Sequence, residues 1–464
     1  MPRLIAVSNR VPKPSEGYSA GGLAVAVRNV LERRGGIWLG WSGEVSECKA
    51  GEPKISERHW SNVDYITIDL SERDRDEYYN GYTNRVLWPL FHLRTDFTEF
   101  ARRDMAGYYR VNQTFAKVLA PMLRDDDVIW VHDYHFIPLA SELRALGVKN
   151  RIGFFLHIPW PSPELFSILP NHLRLAVNLA NYDLVGFQTR PFRDNFLNYL
   201  TAETGAEADR NGTIEVFGRT TTCGVFPISI DTDEFRRLAA APQTSAARRL
   251  ERSLVGKTLA ISIDRLDYSK GIPQRFEAFA RFLELYPDYR QRLTALQIAP
   301  PTREGIPEYA ELNRQVAEVA GRINGTYGDI DWVPIRYVNR AVARSALAGL
   351  YRFARIGAVT PLRDGMNLVA KEYIAAQDET DPGVLILSRF AGAALELNGA
   401  ILVNPYDVDG VAHAFKAAFD MPVSERISRW KPMLQHLLQH DVHRWCDDFL
   451  CALTPEMAEP LMSV

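Results

Sequence analysis

Cysteine is scarce in this sequence: Cys48, Cys223, Cys446 and Cys451 are the only four in 464 residues, and no two form a C-x-x-C pair. That spacing excludes a disulfide framework and a thiolate zinc cluster and fits a reducing compartment, so a cytoplasmic protein is expected. No apolar run approaches the roughly 20 residues that a membrane-crossing helix requires. The opening stretch, MPRLIAVSNR, enters a strand at once, without the ordered basic, apolar and cleavage regions of a secretory leader. Neither sign of charge dominates, since 54 Lys and Arg face 57 Asp and Glu for a formal net charge of −3. This argues against a basic nucleic-acid-binding surface. Two nucleotide fingerprints are also missing, G-x-G-x-x-G at the head of a sheet and the P-loop G-x-x-x-x-G-K-[ST].

What is present is an alternation of short apolar runs with helix-period segments, the pattern of parallel sheets with crossover helices. The first half offers strands at 4–8, 37–41, 65–69, 128–132, 152–157 and 184–188, with helices near 21–34, 134–146 and 190–200. A polar, Ala- and Arg-rich segment from Arg236 to Arg252 interrupts the pattern. The alternation then restarts with strands at 259–264, 294–299, 331–335, 356–360, 383–387 and 400–404, and helices at 272–286, 307–322 and 366–377. The reading is an α/β chain of two doubly wound sheets, because a single core rarely grows to this length. The domains are expected at 1–235 and 236–440, with a C-terminal helix near 440–460 packing back on the first. In such folds ligands bind outside the carboxyl ends of the strands, here across a cleft between the two sheets.

The loops at those strand ends carry the chemistry. TPLRDGMNLVAKEYIAAQ (360–377) gives a turn, then a helix whose first N–H groups and dipole favour an anion. SIDRLDYSKG (262–271) places Arg265 and Lys270 after a strand, two cations suited to phosphate oxygens, and QIAPPTREG (297–305) adds Arg303. In the first half, Arg10 follows the first strand and the pair Gly21-Gly22 opens a helix. Asp133, in VHDYHFIP, and His157, in LHIPWPSPE, follow two successive strands. His132 and His135 read better as a solvated turn than as metal ligands, since no further ligands cluster beside them. Asp74 and Asp76 likewise read as a solvated helix start, and no metal site is expected.

In this order and spacing SNR, SAGGL, WSGE, DEYYNGYTNRVLWP, HDYH, FFLHIP, DRLDYSKG, AGRING, TPLRDGMNLVAKEY and NPYD resemble the trehalose-6-phosphate synthase family. The resemblance runs from about residue 3 to 453. It implies the two-domain GT-B fold and a retaining glycosyltransferase that joins a nucleotide-activated glucose, usually UDP-glucose, to glucose 6-phosphate. It further implies no cofactor, no nucleic-acid or membrane partner, and a homo-oligomer, dimer or tetramer. By the same resemblance Arg265 and Lys270 bind the donor diphosphate and Glu372 holds the ribose hydroxyls. Asp364 and the backbone of Gly365, Met366, Asn367, Leu368, Val369 and Ala370 hold the transferred glucose and its phosphate, with Lys371 next in the donor set. Gly21 and Gly22 approach the donor, and His157 contacts its sugar. Arg10, Tyr79, Trp88, Asp133 and Arg303 match the acceptor site, with the two arginines on its phosphate. Val342 stands at a donor-contacting position where relatives can carry a larger apolar side chain, so the nucleobase stays open.

Double displacement would need a carboxylate beneath the anomeric carbon. Asp133 is the one candidate, and the resemblance assigns it to acceptor hydroxyls. A same-face substitution is therefore expected, with Arg265, Lys270, Asp133, His157 and Asp364 as the catalytic set. The competing readings are a relative that uses another phosphorylated acceptor, such as glycerol 3-phosphate, and a non-catalytic sugar-phosphate sensor.

Overall fold

The computed structural model describes residues 2–12, 22–242, 245–254, 256–303 and 305–455. The apolar runs become strands because they are buried along their length, as strands covered by helices on both faces must be. VIWVH and VLILS are buried at every residue.

The chain forms two units, one of residues up to 228 with those from 443, the other of residues 229–442. The first holds β1 (Leu4–Arg10), β2 (Gly36–Ser46), β3 (Lys54–Trp60), β4 (Val63–Ser71), β5 (Val128–His132), β6 (Arg151–Phe155), β7 (Leu184–Phe187), β8 (Thr213–Val216) and β9 (Arg219–Val225). They lie in the order β3-β4-β2-β1-β5-β6-β7-β9-β8. All neighbours run parallel except the edge strands β3 and β8, which pair antiparallel. β3, β8 and β9 were not expected from the sequence. KISERHW is exposed almost throughout and has no apolar face to mark it. β8 and β9 form a polar hairpin turned by Phe217 and Gly218, both at positive φ.

The second unit holds β10 (Thr258–Ile263), β11 (Leu293–Ile298), β12 (Ile335–Val338), β13 (Ile356–Val359), β14 (Val384–Ser388) and β15 (Ile401–Val403), all parallel, in the order β12-β11-β10-β13-β14-β15. β12 starts later than the apolar run DWVPI suggests. Pro334 has no N–H for a ladder, so only its carbonyl pairs, with the Ala295 N–H at 2.8 Å, and the strand begins after it.

Each sheet changes direction at one place, between β1 and β5 in the first and between β10 and β13 in the second. Loops leaving these strands diverge and open the crevice where ligands bind in such sheets. The last helix, Val442–Leu453, closes the first unit. Trp445 and Phe449 lie 4.9 and 4.7 Å from the Trp130 ring. Gly153 and Gly186 make room for it, since a Cβ on either would come within 2.8 Å of the Phe449 ring. Among the described residues no helix is long and apolar enough to cross a membrane.

Candidate functional site

In the second unit the loops after β10 and β13 meet. Asp264, just past β10, is buried in an ion pair with Arg275 at 2.7 Å. The same guanidinium reaches Gln297 of β11 at 2.7 Å, Thr360 after β13 at 2.9 Å and the Lys270 carbonyl at 3.1 Å. Burial raises the Asp264 pKa against the pull of Arg275, so this pair ties the strand ends together and keeps them aligned. Above it, Asp267 caps the turn Tyr268–Lys270 by accepting the Ser269 N–H at 2.9 Å. Gly271 follows at φ 63, where a Cβ would meet the Thr360 carbonyl oxygen at 2.9 Å. Sequence reasoning missed Asp264, Asp267, Gln297 and Arg275, because only the fold brings them to one strand edge.

This turn carries Lys270 to Asp364, with Nζ 2.5 Å from Oδ2, and the Asn367 side chain donates to the same oxygen at 2.9 Å. Asn367 itself sits at φ 81 and caps the helix Leu368–Ala376 by accepting the Ala370 N–H at 3.2 Å. The backbone at Gly365 and Met366 is held by the following loop. Ala393 N–H bonds the Met366 carbonyl at 2.8 Å, and a Cβ on Gly392 would strike the Gly365 carbonyl at 2.1 Å. Leu368 and Val369 are half-buried, at the free N–H end of the helix. Arg265 is exposed, two residues beyond β10. Glu372 makes no hydrogen bond among the described residues. Burial pushes its carboxyl up to about 7, against the field of Arg344 and with that of Glu234. Val342 is half-buried in the segment between β12 and Arg344.

Two members of the expected set are placed differently. The Lys371 amine points into the core, 1% exposed, and pairs with Glu396 at 2.7 Å. The other Glu396 oxygen meets His436 at 3.2 Å. One turn into the helix the side chain faces inward, so the amine is not offered to a ligand. Arg303 does not stand free at the sheet edge either. It takes φ 52 and turns its guanidinium, 4% exposed, onto Asp267 at 2.9 Å and onto the Tyr309 hydroxyl.

In the first unit Arg10 ends β1 and lies over the Trp41 ring at 4.7 Å. Gly43, at φ 92, leaves its space, since a Cβ there would fall 2.1 Å from the guanidinium. Among the described residues no carboxylate pairs with Arg10. Trp41 contacts Tyr79 edge-on at 5.2 Å, and Tyr79 stacks on His135 at 6.3 Å. Tyr79 belongs to a π-helix, Arg75–Leu87, that delivers Trp88 at its end. Trp88 is buried against His92 and Tyr134, at 4.1 and 5.8 Å. Wide helical turns of this kind recur at functional sites. The π-helix is fixed at its start by Asp74, which is buried rather than solvated. Asp74 accepts from Arg110 at 2.8 Å, Ser71 at 2.8 Å and the Gly51 N–H at 2.9 Å. Asp76 is exposed and bonded to Arg75 and Asn80.

Asp133 takes φ 75, an uncommon conformation held by its N–H on the Phe155 carbonyl at 2.8 Å and by its carboxylate on the His157 N–H at 3.2 Å. His132 and His135 are buried, contrary to a solvated turn: His132 ends β5, and His135 sits in the 3-10 turn Tyr134–Phe136, stacked on Tyr79. Gly22 opens the helix Gly22–Arg34, while Gly21 lies outside the described residues. Among the described residues, no three His, Cys, Asp or Glu side chains group closely enough to hold a metal ion.

A match to glycosyltransferase family 20 covers residues 7–454. A trehalose-6-phosphate synthase of Sinorhizobium fredii is 52% identical over 98% of each chain. A UDP-forming α,α-trehalose-phosphate synthase of Burkholderia xenovorans, solved in complex with glucose-6-phosphate, shares 48% identity at a TM-score of 0.94, covering 97% of this chain and 100% of that one. An E. coli structure described as trehalose-6-phosphate bound with UDP-2-fluoro glucose shares 45% identity at a TM-score of 0.93, covering 97% and 98%.

Proposed function

Since the chain belongs to glycosyltransferase family 20 and has the GT-B fold, we propose that it moves glucose from UDP-glucose to glucose 6-phosphate with retention, giving α,α-trehalose 6-phosphate. The observation that carries this reading is the Lys270–Asp364 pair beside a helix start, at the direction change of the second sheet. Lys270, with Arg265, neutralises the diphosphate, and the helix N–H groups add to them. Asp364 and the backbone of residues 365–370 hold the glucose, Glu372 the ribose, and Val342 lines the base. We also propose that Gly21, Gly22 and His157 serve donor binding, His157 at the sugar.

For the acceptor, Arg10, which pairs with no carboxylate among the described residues, offers a cation to the phosphate, while Tyr79, Trp88 and Asp133 hold the sugar. We propose that Arg303 also serves acceptor binding. In the transfer the anomeric carbon–phosphate oxygen bond breaks as the incoming hydroxyl oxygen bonds on the same face. The hydroxyl proton passes to the departing phosphate oxygen. Catalysis is then positioning and charge stabilisation, with cations in the role a metal plays elsewhere. The four free cysteines support a cytoplasmic setting, and a dimer or tetramer of this chain completes the reading.

The test is UDP release and NMR of the product from UDP-glucose and glucose 6-phosphate in excess EDTA. An α,α-linked sugar phosphate is expected. No UDP release, or a β-configured product, would overturn the reading. Loss of activity in EDTA that magnesium restores would overturn its metal-free part.

A further inference from the structure

His132 ends β5 with no exposed surface, and His157 lies two residues past β6, whose Phe155 pairs with His132 across the sheet. The Nδ1 of His132 is 3.3 Å from the Nε2 of His157. We propose that His132 is a positioning residue: its Nδ1–H donates to His157 Nε2 and locks His157 in the tautomer whose proton sits on Nδ1, ready to donate to an oxygen of the transferred sugar. The last clause rests on the sugar contact proposed above for His157.

The Trp130 ring is 4.6 Å from His132, the Phe155 ring 4.7 Å from His157, and Trp445 closes over both at 6.4 and 6.1 Å. Burial in this aromatic pocket pushes the His132 pKa down to about 3 and that of His157 well below the usual histidine range. Both rings are therefore neutral near pH 7, with one N–H each, and a single proton lies between the facing nitrogens.

Two arrangements remain. If His157 Nε2–H donated, the His132 proton would sit on its Nε2, which is buried and has no hydrogen-bond partner among the described residues. A buried N–H without an acceptor is the costlier defect, and such groups are rare in native proteins. If His132 Nδ1–H donates instead, its only N–H is satisfied and Nε2 keeps just a lone pair that accepts no hydrogen bond. The second arrangement leaves no donor orphaned. It also dictates the other face of His157. That ring is half-buried, and its Nδ1 makes no hydrogen bond among the described residues. It must then carry a proton and act as a donor.

The test reads the tautomers directly. Long-range 1H–15N correlation on the full chain, labelled at histidine nitrogens, shows which ring nitrogen of each imidazole is protonated. Nδ1–H is expected for both His132 and His157, and an Nε2–H tautomer of His157 would overturn the proposal. This measurement needs no variant. His132→Asn keeps an amide donor where Nδ1 stood, whereas His132→Phe fills the volume without one. His157 should stay Nδ1–H in His132→Asn and lose that tautomer in His132→Phe. With it, kcat/KM for UDP-glucose should fall about tenfold in His132→Phe, the worth of one hydrogen bond. Equal losses in both variants would reduce His132 to packing and sink the idea. The expected tautomers together with an unimpaired His157→Ala enzyme would refute the sugar contact instead.

Discussion

Glu372 shows how a single carboxylate can serve binding at the expense of stability. Its pKa, pushed up to about 7 from the ordinary 4.5, means that the folded chain resists ionising it. Below about pH 4.5 the group is protonated in both folded and unfolded states and brings no penalty. The penalty grows as pH rises and is complete above about 7. Glu372→Gln should therefore melt together with the wild type below about pH 4 and above it at pH 8. An offset of the same size below pH 4 and at pH 8 would show that the carboxyl's ionisation is not the cause. Ionised Glu372 is also the form that would accept from both ribose hydroxyls in the role proposed for it. UDP-glucose affinity should rise about tenfold from pH 6 to pH 8, as the competent fraction grows from roughly a tenth to nearly all. Calorimetry on Glu372→Gln should show weaker binding with that pH dependence gone.

At the scale of one element, the turn bearing Lys270 depends on a residue far along the chain. Asp267 has no exposed surface, caps the turn through the Ser269 N–H, and is neutralised by Arg303, 36 residues away. Arg303→Ala leaves a buried carboxylate without its cation, which costs about 3–5 kcal/mol. Urea unfolding should show that loss, and an unchanged midpoint would contradict the pairing. If Arg303 meets the acceptor phosphate as proposed, the same variant should lose about tenfold or more of its preference for glucose 6-phosphate over glucose, the worth of one charge-assisted contact. Arg303→Lys keeps the charge but not the fork, so it should recover stability better than acceptor preference.

Across the whole molecule, the chain ends by returning to its first unit. The helix Val442–Leu453 lays Trp445 and Phe449 against Trp130, Phe155 and the glycines of β6 and β7. Truncation after residue 441 should uncover this apolar face and leave the first unit aggregating or unfolded, detectable by its solubility and tryptophan fluorescence. Phe449→Ala, a buried aromatic truncated within the full chain, should cost about 3–5 kcal/mol in urea unfolding. A wild-type midpoint would show that the helix is an ornament to that unit rather than part of its core.

The alternation of apolar runs marked all six strands of the second sheet and six of the nine in the first, because strands buried on both faces must be apolar throughout. The loops at their ends were equally legible. Arg265, Lys270 and Asp364 each lie within a few residues of a strand that the sequence marks, so their placement is local. Polar edge strands such as KISERHW carried no such mark, and neither did the π-helix that aligns Tyr79 with Trp88. Side-chain partners were beyond local reading altogether. Whether Lys371 meets a ligand or Glu396, whether Arg303 stands free or binds Asp267, and whether His132 is solvated or faces His157 all depend on residues distant in sequence. Burial and ion pairing act between groups that only the folded chain brings within a few ångströms, so those assignments belonged to the tertiary structure.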